Sequence, residues 1–341
     1  MIVPTPRAPT HLVLGPPGHG VTRYARDVAR WVGARVVTDA AQLDAGERVH
    51  LHFTDRVVAP DLDGAAREVE ALAARVRLTV TLHDVPQPTD GRAFERRAEC
   101  YRRVVAAVDG WATNSRHERA SVERWCAPPT AGAVVPLPVV PLPGEAVAAP
   151  GPATGQVAEA ARGGEVAVFG FVYPGKGHAE VLEAVAALRA AGREAAAAFL
   201  GAPAPGHADD LDALVRRAAT LGVPLRVTGS VPDADLATAL RGVAVAVVGH
   251  RNVSASASLA SWLAAGRRPL VRDGVYARET AQLRPGTVVS YTDDDLVAVL
   301  AVALDDPAST WLPDGADLRP GPDEVGAAYR SWWARLSAEA A

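Results

Sequence analysis

The chain has 341 residues, enough for two domains that each bury a core, and its formal net charge of -4 comes from interspersed Arg, Asp and Glu, which argues against nucleic-acid binding. Cys100 and Cys126, the only cysteines, are too few for a disulfide framework or a zinc site, and a reducing compartment is the simplest interpretation. Because no stretch approaches the ~20 uncharged apolar residues of a membrane-spanning helix, we expect a soluble, cytoplasmic protein and leave open peripheral contact with a membrane.

Short apolar runs alternate with segments of helical period, a pattern typical of parallel sheets covered by helices. In the first half the runs predicted as strands are His11–Leu14, Arg48–Phe53, Val76–Leu82, Gly110–Thr113 and Val134–Leu137. Helices are predicted between them. The clearest follows Gly20, since apolar residues recur at helical spacing from Val21 to Val32. Another opens at Ser115, with Glu118 at the capping-box position.

The composition shifts to Pro, Gly and Ala between Pro136 and Gly164, which predicts a linker before the alternation resumes. Strands are predicted at Val166–Phe171, Ala196–Leu200, Leu225–Thr228, Val243–Val248 and Pro269–Arg272, and helices near Ala179–Ala191, Asp209–Leu221, Asp233–Arg241, Ser256–Ala265 and Asp294–Leu304. The predicted organisation is a first domain at 1–145, a linker at 146–164, a second domain at 165–320 and a terminal helix at 321–341. Aromatic residues at helical spacing near the end, including Trp332 and Trp333, predict that this helix packs back on the body.

A Gly-rich loop joins the first strand to the first helix. The spacing of Gly15, Gly20 and Thr22 imitates the phosphate-binding loop of NTPases, but Val21 replaces the lysine that reaches the terminal phosphates. Glycines at a strand-to-helix turn let backbone N–H groups approach an anion, whereas a tight turn without a ligand is the alternative.

A second glycine-bounded loop, in the second half, holds Lys176 between Gly175 and Gly177 at the start of a helix. A lysine there adds a point charge to the positive end of the helix dipole, which suits a diphosphate; a solvated loop lysine is the alternative.

Polar residues also follow the apolar strand that ends at Val248. Arg251 and the alternate serines Ser254, Ser256 and Ser258 precede another helix, where they offer donors to phosphate oxygens. One serine is needed as the helix N-cap, and the others exceed that need.

Together these segments resemble, across nearly the whole chain, the family 4 glycosyltransferases, which have the GT-B fold. The resemblance rests on Gly170 with Lys176-Gly177-His178, on Val227-Thr228-Gly229-Ser230-Val231-Pro232 with Asp235-Leu236, on Arg251 to Val271, on Thr79-Val80-Thr81-Leu82-His83-Asp84-Val85-Pro86, and on Thr113-Asn114-Ser115. Each motif is weak alone, and their order and spacing carry the likeness.

The resemblance implies two facing Rossmann-like domains with parallel sheets and a retaining, metal-independent transfer from a UDP- or GDP-sugar, with no cofactor besides this co-substrate. Lys176 and Arg251 would stabilise the departing diphosphate, and His83 would contact the transferred sugar. The residues implied to bind the donor are Gly170, Lys176, Gly229, Ser230, Arg251, Ser254, Ala255 and Ser256. The acceptor, a small molecule, a lipid-linked sugar or a glycan, would bind the first domain, with Gly18, His19, Gly20, Arg23 and Tyr24 as candidate contacts.

Two departures from the family pattern concern the donor. Phe171 stands where the family usually has an arginine, and the usual pair of glutamates falls at Val253 and Ser261, in a Ser-rich variant of the segment. Valine has no hydrogen-bonding group for a sugar hydroxyl. The alternative hypothesis is therefore a catalytically degenerate GT-B protein that binds a nucleotide sugar or glycan without turnover. A sugar-nucleotide epimerase or phosphorylase is disfavoured because the expected His–carboxylate signatures are absent.

Overall fold

A computed structural model of the chain describes residues 7–142 and 164–339. These residues belong to two compact units, unit 1 within Met1–Pro138 and Pro320–Ala341, and unit 2 within Val139–Arg319. The predicted linker at 146–164 lies outside the described residues except for Gly164, and the exact domain boundaries stay a prediction.

Unit 1 contains a six-stranded parallel sheet in the order β2-β1-β3-β4-β5-β6. Its strands are β1 (Thr10–Leu12), β2 (Val36–Val37), β3 (Arg48–Phe53), β4 (Arg77–Leu82), β5 (Gly110–Thr113) and β6 (Ala133–Val134). Its helices are α1 (Gly20–Val32), α2 (Asp55–Val58), α3 (Leu62–Ala73), α4 (Phe94–Ala107) and α5 (Arg116–Cys126), and the C-terminal helix described below. The α/β alternation predicted for the first half is confirmed. The predicted strand at Val134–Leu137 ends earlier, because Pro136 has no N–H to give to the sheet.

The central strands of unit 1 bring their carboxyl ends to one edge. β3 and β4 pair in parallel with Arg48 opposite Arg77 and Phe53 opposite Leu82. Both strands are buried from their second residue on, so the sheet is covered on both faces. Residues that follow β3 and β4 therefore meet at the same edge.

Helix α1 begins and ends as its sequence predicts. Its apolar face, including Val28 and Val32, is buried, and Gly33 closes the helix in the left-handed conformation at φ 67°. At Ser115 the hydroxyl accepts from the N–H of Glu118 at 2.9 Å, while the Glu118 carboxylate accepts from the N–H of Asn114 rather than from that of Ser115. Ser115 therefore caps α5, and Glu118 ties the preceding strand end to the same helix.

The C-terminal helix, Pro322–Glu339, belongs to unit 1. Its buried Tyr329, Trp332 and Trp333 pack in one cluster with Val28 and Val32 of α1. The prediction that this helix packs back on the body is confirmed, and the part of the body that it contacts is unit 1.

Unit 2 contains a second six-stranded parallel sheet, in the order β12-β11-β10-β7-β8-β9. Its strands are β7 (Glu165–Phe169), β8 (Ala196–Leu200), β9 (Leu225–Val227), β10 (Val245–Val248), β11 (Leu270–Arg272) and β12 (Val289–Tyr291). Its helices are α6 (His178–Ala190), α7 (Ala208–Leu221), α8 (Leu236–Arg241), α9 (Ala257–Ala264), α10 (Val275–Leu283) and α11 (Leu296–Asp305); the C-terminal helix of unit 1 is α12. The predicted helix at Asp233–Arg241 begins as a 3-10 turn, Asp233–Asp235, and becomes α-helical at Leu236.

The middle of the second sheet places β7 between β10 and β8. The loops that follow β7 and β10 are consequently neighbours at the carboxyl edge, the edge at which open α/β sheets bind ligands. Within the described ranges, none of the helices is both long and apolar enough to cross a membrane.

Candidate functional site

The glycine-bounded loop before α6 is built by close backbone contact. Gly175 and Gly177 have φ values of 83° and 100°, in the left-handed region that favours glycine. A Cβ on Gly177 would lie 2.6 Å from the Cα of Gly249, which follows β10. Glycine is thus required where the two strand-end loops touch, and this contact fixes the residue between the two glycines.

That residue, Lys176, is buried, with 5% of its surface exposed. Its Nζ lies 5.3 Å from the centre of the Tyr173 ring, an arrangement that suits a cation. In the described part of the chain no carboxylate pairs with this ammonium, and burial lowers the pKa of Lys176 to about 8. A buried charge without a counterion is costly, and a bound anion would relieve that cost.

Two imidazoles lie close to the ammonium. Burial, and then the charge of Lys176, lowers the pKa of His178 and of His250 to about 3. His178 packs edge-on against Phe199 with ring centres 4.6 Å apart. Both histidines are therefore neutral near pH 7, and Lys176 carries the positive charge of this loop.

Arg251 is tied to the same loop through its backbone. Its N–H donates to the carbonyl oxygen of Gly175 at 2.9 Å. Its guanidinium, about half exposed, pairs with Glu180 in the first turn of α6 at 2.8 Å. Lys176 and Arg251 thus flank one glycine turn, with the Arg251 charge held by a carboxylate.

The serine segment before α9 is largely engaged in capping. The Ser256 hydroxyl accepts from the N–H of Leu259 at 3.2 Å and lies 3.1 Å from the Ser258 hydroxyl. The Ser256 N–H donates to the hydroxyl of Tyr276 at 3.1 Å, so this backbone donor already has a partner. Ser254 is buried, and it stays a candidate ligand together with half-buried Ala255.

The positions of the missing glutamates are apolar or engaged. Val253 is half-buried among hydrophobic side chains of unit 2, and the Ser261 hydroxyl donates to the carbonyl oxygen of Ala257 at 3.0 Å within α9. Val253 thus offers no polar side-chain group to a sugar, and Ser261, whose proton is used within α9, offers only the acceptor lone pairs of its hydroxyl oxygen.

Gly229 and Ser230 follow β9 at the same edge. Gly229 has a φ of 67°, and Ser230 is exposed. Because β8 lies between β9 and β7, the strand that precedes these two residues is about 10 Å from β7, the strand that precedes the Lys176 loop. They lie at the carboxyl edge of the sheet, apart from the loop that holds Lys176.

In unit 1, His83 directly follows β4. Its N–H donates to the carbonyl oxygen of Phe53 at 2.8 Å, and its carbonyl oxygen accepts from the Tyr101 hydroxyl at 2.6 Å. Its Nε2 lies 3.0 Å from Nδ1 of His52. Burial, followed by the charge of His19, lowers the pKa of His83 to about 3, so the ring is neutral near pH 7.

The turn after His83 is held by an arginine that the sequence analysis missed. Arg97 pairs with Asp55 at 3.1 Å, Asp84 at 2.8 Å and Asp90 at 2.6 Å, and it also donates to the carbonyl oxygen of Asp84 at 2.6 Å. Asp84 has a φ of 49°, which is uncommon for a residue other than glycine. Arg97 therefore stabilises a strained turn next to His83.

Four buried histidines form what we call the histidine cluster, His11, His50, His52 and His83. The two His50 nitrogens lie 2.9 Å from the Thr79 hydroxyl and 3.1 Å from that of Thr81. The Thr81 hydroxyl lies 2.9 Å from that of Tyr329, which links the cluster to α12. Burial lowers the pKa of all four histidines.

The predicted acceptor contacts divide into two groups. Gly18 and His19 are exposed in the turn before α1, exposed Gly20 is the first residue of that helix, and exposed Arg23 lies in its first turn. The Tyr24 ring instead packs edge-on against His83 and His52, with centres 5.7 and 5.2 Å away.

The Gly-rich turn before α1 differs from a phosphate-binding loop in the use of the Thr22 hydroxyl. Thr22 is buried and donates to the carbonyl oxygen of Leu14 at 2.9 Å, so its hydroxyl serves the turn. Across the described ranges, no group of three or more His, Cys, Asp or Glu side chains has the arrangement of a metal site.

No protein-family model and no curated protein matches the chain. Solved structures do. HepE of Anabaena, in complex with UDP and glucose, matches with a TM-score of 0.68 and 13% identity over 96% of this chain and 99% of that one. Sucrose-phosphate synthase of Thermosynechococcus elongatus matches with a TM-score of 0.59 and 16% identity, over 85% of this chain and 68% of that one. A UDP-forming trehalose-phosphate synthase of Burkholderia vietnamiensis matches with a TM-score of 0.58 and 14% identity, over 88% of this chain and 76% of that one.

The chain has the GT-B fold. Within this GT-B chain, the structure brings Gly170, Lys176 and the backbone of Arg251 together in unit 2, and it places His83 at the carboxyl edge of unit 1. Sequence reasoning missed above all Arg97 and Glu180, which pair with residues up to 42 and 71 positions away in the chain. The roles of all these residues stay predictions.

Proposed function

We propose that the protein is a glycosyltransferase that moves a hexosyl or related sugar from a UDP- or GDP-sugar to an acceptor, with retention of anomeric configuration and without a metal cofactor. The observation that carries the proposal is the buried ammonium of Lys176, unpaired with any described carboxylate, in a glycine turn at the N-terminus of α6. The GT-B fold and neighbours solved with UDP and with UDP-glucose support it.

The proposed role of Lys176 follows from charge. During transfer, the bond between sugar and diphosphate breaks, and negative charge develops on the leaving phosphate oxygen. A preformed cation and a helix N-terminus in a site shielded from water stabilise that charge without reorganising. The same groups hold the ground-state diphosphate, so loss of Lys176 weakens both binding and turnover.

The sugar and the ribose of the donor are bound without the pair of glutamates that usually holds them in the family 4 pattern. Val253 offers no polar group, and the Ser261 hydroxyl is used within its helix. We propose that the Gly229–Ser230 turn and the residues Ser254 and Ala255 contact the donor instead, through hydroxyl and backbone groups.

The acceptor is proposed to bind unit 1, near the turn Gly18–Gly20 and beside His83. His83 is neutral, so it suits a hydrogen bond to a sugar oxygen better than a charge contact. The leaving diphosphate is then the group left to take the proton of the acceptor hydroxyl. The two cysteines are free and buried, which is compatible with the proposed cytoplasmic location.

The first test is a thermal-shift and calorimetric panel of UDP, GDP, UDP-glucose and a GDP-sugar on the full chain. A ligand at 100 times its dissociation constant should stabilise the protein by about 2.7 kcal/mol. We expect one nucleotide to do so, and we expect Lys176→Met to abolish most of the effect. Silence of every nucleotide would overturn the proposal.

The second test separates turnover from binding. Release of UDP or GDP from the bound sugar nucleotide, with water or simple glycosides as acceptors, is expected to fall at least about tenfold in Lys176→Ala and Arg251→Ala, as for loss of one charge-stabilising donor. Tight binding with no turnover under any acceptor condition would instead favour the degenerate binding protein.

A further inference from the structure

His52 and His83 form a defined imidazole pair in unit 1. His52 lies opposite Thr81 in the register of β3 and β4, so His83, two residues further along, is its diagonal neighbour on the same face. The ring centres are 5.2 Å apart, the planes differ by 20°, and Nδ1 of His52 lies 3.0 Å from Nε2 of His83. This is a direct hydrogen bond between two neutral rings.

One proton is shared in such a bond, and it can belong to either ring. If His52 donates from Nδ1, His83 accepts on Nε2 and carries its own proton on Nδ1. If His83 donates from Nε2, then His52 must carry its proton on Nε2. The two arrangements present opposite groups of His83 to a ligand: an N–H donor in the first case and a lone pair in the second.

The surroundings of His52 distinguish the arrangements. Its Nε2 is buried and has no hydrogen-bond partner within the described residues. In the second arrangement an N–H would be buried there without an acceptor, and orphaned buried N–H groups are rarer in proteins than under-satisfied acceptors. Burial among aromatic rings therefore favours an unprotonated Nε2 on His52.

We propose that His52 is a positioning residue that fixes His83 in the tautomer with its proton on Nδ1, so that His83 meets the transferred sugar as a hydrogen-bond donor. The inference rests on the proposed function of His83. The remaining contacts fit the role: Tyr24 packs edge-on against both rings, and the Tyr101 hydroxyl holds the His83 carbonyl oxygen at 2.6 Å. His83 keeps 8% of its surface exposed at the strand end.

The tautomer can be measured directly on the full chain without any substrate. Long-range proton–nitrogen correlation spectra of protein labelled with 15N-histidine show which ring nitrogen carries the proton, and a His83→Gln variant assigns the signal. We expect a protonated Nδ1 and an unprotonated Nε2 for His83 near pH 7. A proton on Nε2 would overturn the inference, whether or not the protein is a transferase.

A matched pair of variants tests the effect on function. His52→Phe removes the donor and keeps an aromatic ring, while His11→Phe makes the same change at a buried histidine of the same cluster that takes no part in the bond between His52 and His83. With UDP-glucose as the probe, we expect His52→Phe to lower kcat at least about tenfold, with the Kd for UDP unchanged, since oriented contacts at the reacting centre carry such effects.

His11→Phe should leave kcat, the Kd and the His83 tautomer unchanged. Equal losses in the two variants would show that the histidine cluster is only structural and would refute the role of His52. If none of UDP, GDP, UDP-glucose and a GDP-sugar binds the wild type, the proposed function fails, and the tautomer of His83 still decides whether His52 positions it.

Discussion

The ammonium of Lys176 occupies the space that a side chain on Gly170 would need. A Cβ built on Gly170 would lie 2.5 Å from Nζ of Lys176, and the φ of Gly170 is 100°, where residues other than glycine are strained. The lysine can therefore occupy this position at the carboxyl edge of the second sheet because the residue that follows β7 is glycine. Gly170 and Lys176 act as one unit, and a change at either should alter the binding of a diphosphate.

Gly170→Ala is expected to displace the ammonium and to raise the Kd for UDP about tenfold or more, as for loss of a charge-assisted contact. Gly206→Ala is the matched control, because Gly206 has a φ of 83° with nothing within 4 Å of an added Cβ. Both variants should lose about 1–2 kcal/mol of stability from left-handed strain. Calorimetric titration with UDP distinguishes them. An equal Kd in the two variants would contradict the linkage between Gly170 and Lys176.

Lys176→Met is expected to stabilise the unliganded protein. Burial lowers the pKa of Lys176 from 10.5 to about 8, so at pH 7 the folded state holds a charge that the unfolded state solvates better. The shift corresponds to about 3 kcal/mol, and replacement by an apolar side chain of similar length should recover about 1–3 kcal/mol. Denaturant unfolding at pH 7 measures the gain, and a loss of stability would show that a partner compensates the ammonium.

The affinity for UDP should depend on the same titration. Below pH 8 Lys176 is protonated, and the Kd should be constant there. Above pH 8 binding requires uptake of a proton, so the Kd should rise about tenfold per pH unit until the pKa of the bound form is reached. Titrations from pH 7 to 9.5 test this, with Lys176→Met as the control that should bind weakly and show no break near pH 8.

The fold could be predicted from the sequence to a large extent, because buried parallel strands appear as short apolar runs and helices as periodic ones. The edge strands β2 and β12 were missed. They have two and three residues, too few for a period to be visible. Pro136 and the 3-10 turn before α8 moved two other boundaries, where local backbone chemistry overrides the apolar pattern.

The candidate site could be predicted only where its signal is local. Lys176 stood out because two glycines and a helix start surround it within a few positions. The partners of Arg251 and His83 could not be predicted in the same way, since Arg251 meets Glu180 across 71 residues and His83 meets His52 across 31. Pairings of that kind are set by strand order and register, and composition or spacing along one chain does not reveal them.

The pairing of Arg251 with Glu180 predicts a competition with the diphosphate. Glu180→Gln removes the carboxylate and should free the guanidinium, which lowers the Kd for UDP by about two- to fivefold, a modest effect because exposed ion pairs are weak. Glu183→Gln on the same helix is the control, since Glu183 pairs with Arg217 instead. Weaker UDP binding in Glu180→Gln than in Glu183→Gln would show that Glu180 orients Arg251 for the ligand.

Acid should destabilise unit 1 through the histidine cluster. Burial lowers the folded pKa of these histidines from 6.5, to about 4 for His11 and about 3 for His83. As the pH falls below 6.5, the histidines bind protons in the unfolded chain but not in the folded protein. Their contribution to the free energy of unfolding is therefore complete above pH 6.5 and is lost between pH 6.5 and about pH 4. Each histidine should contribute about 1.4 kcal/mol per pH unit in that window.

Denaturant unfolding at pH 7, 6 and 5 measures the slope of this loss. His11→Phe should reduce it by about one proton, because one group that titrates only in the unfolded state has been removed. Tyr329→Phe is the control in the same cluster: it removes the contact with Thr81 and should lower stability equally at each pH, because burial raises the pKa of Tyr329 to about 12, far outside this range. An unchanged slope in His11→Phe would mean that His11 has the same pKa in the folded protein as in the unfolded chain, and the acid sensitivity of unit 1 would then depend on other groups.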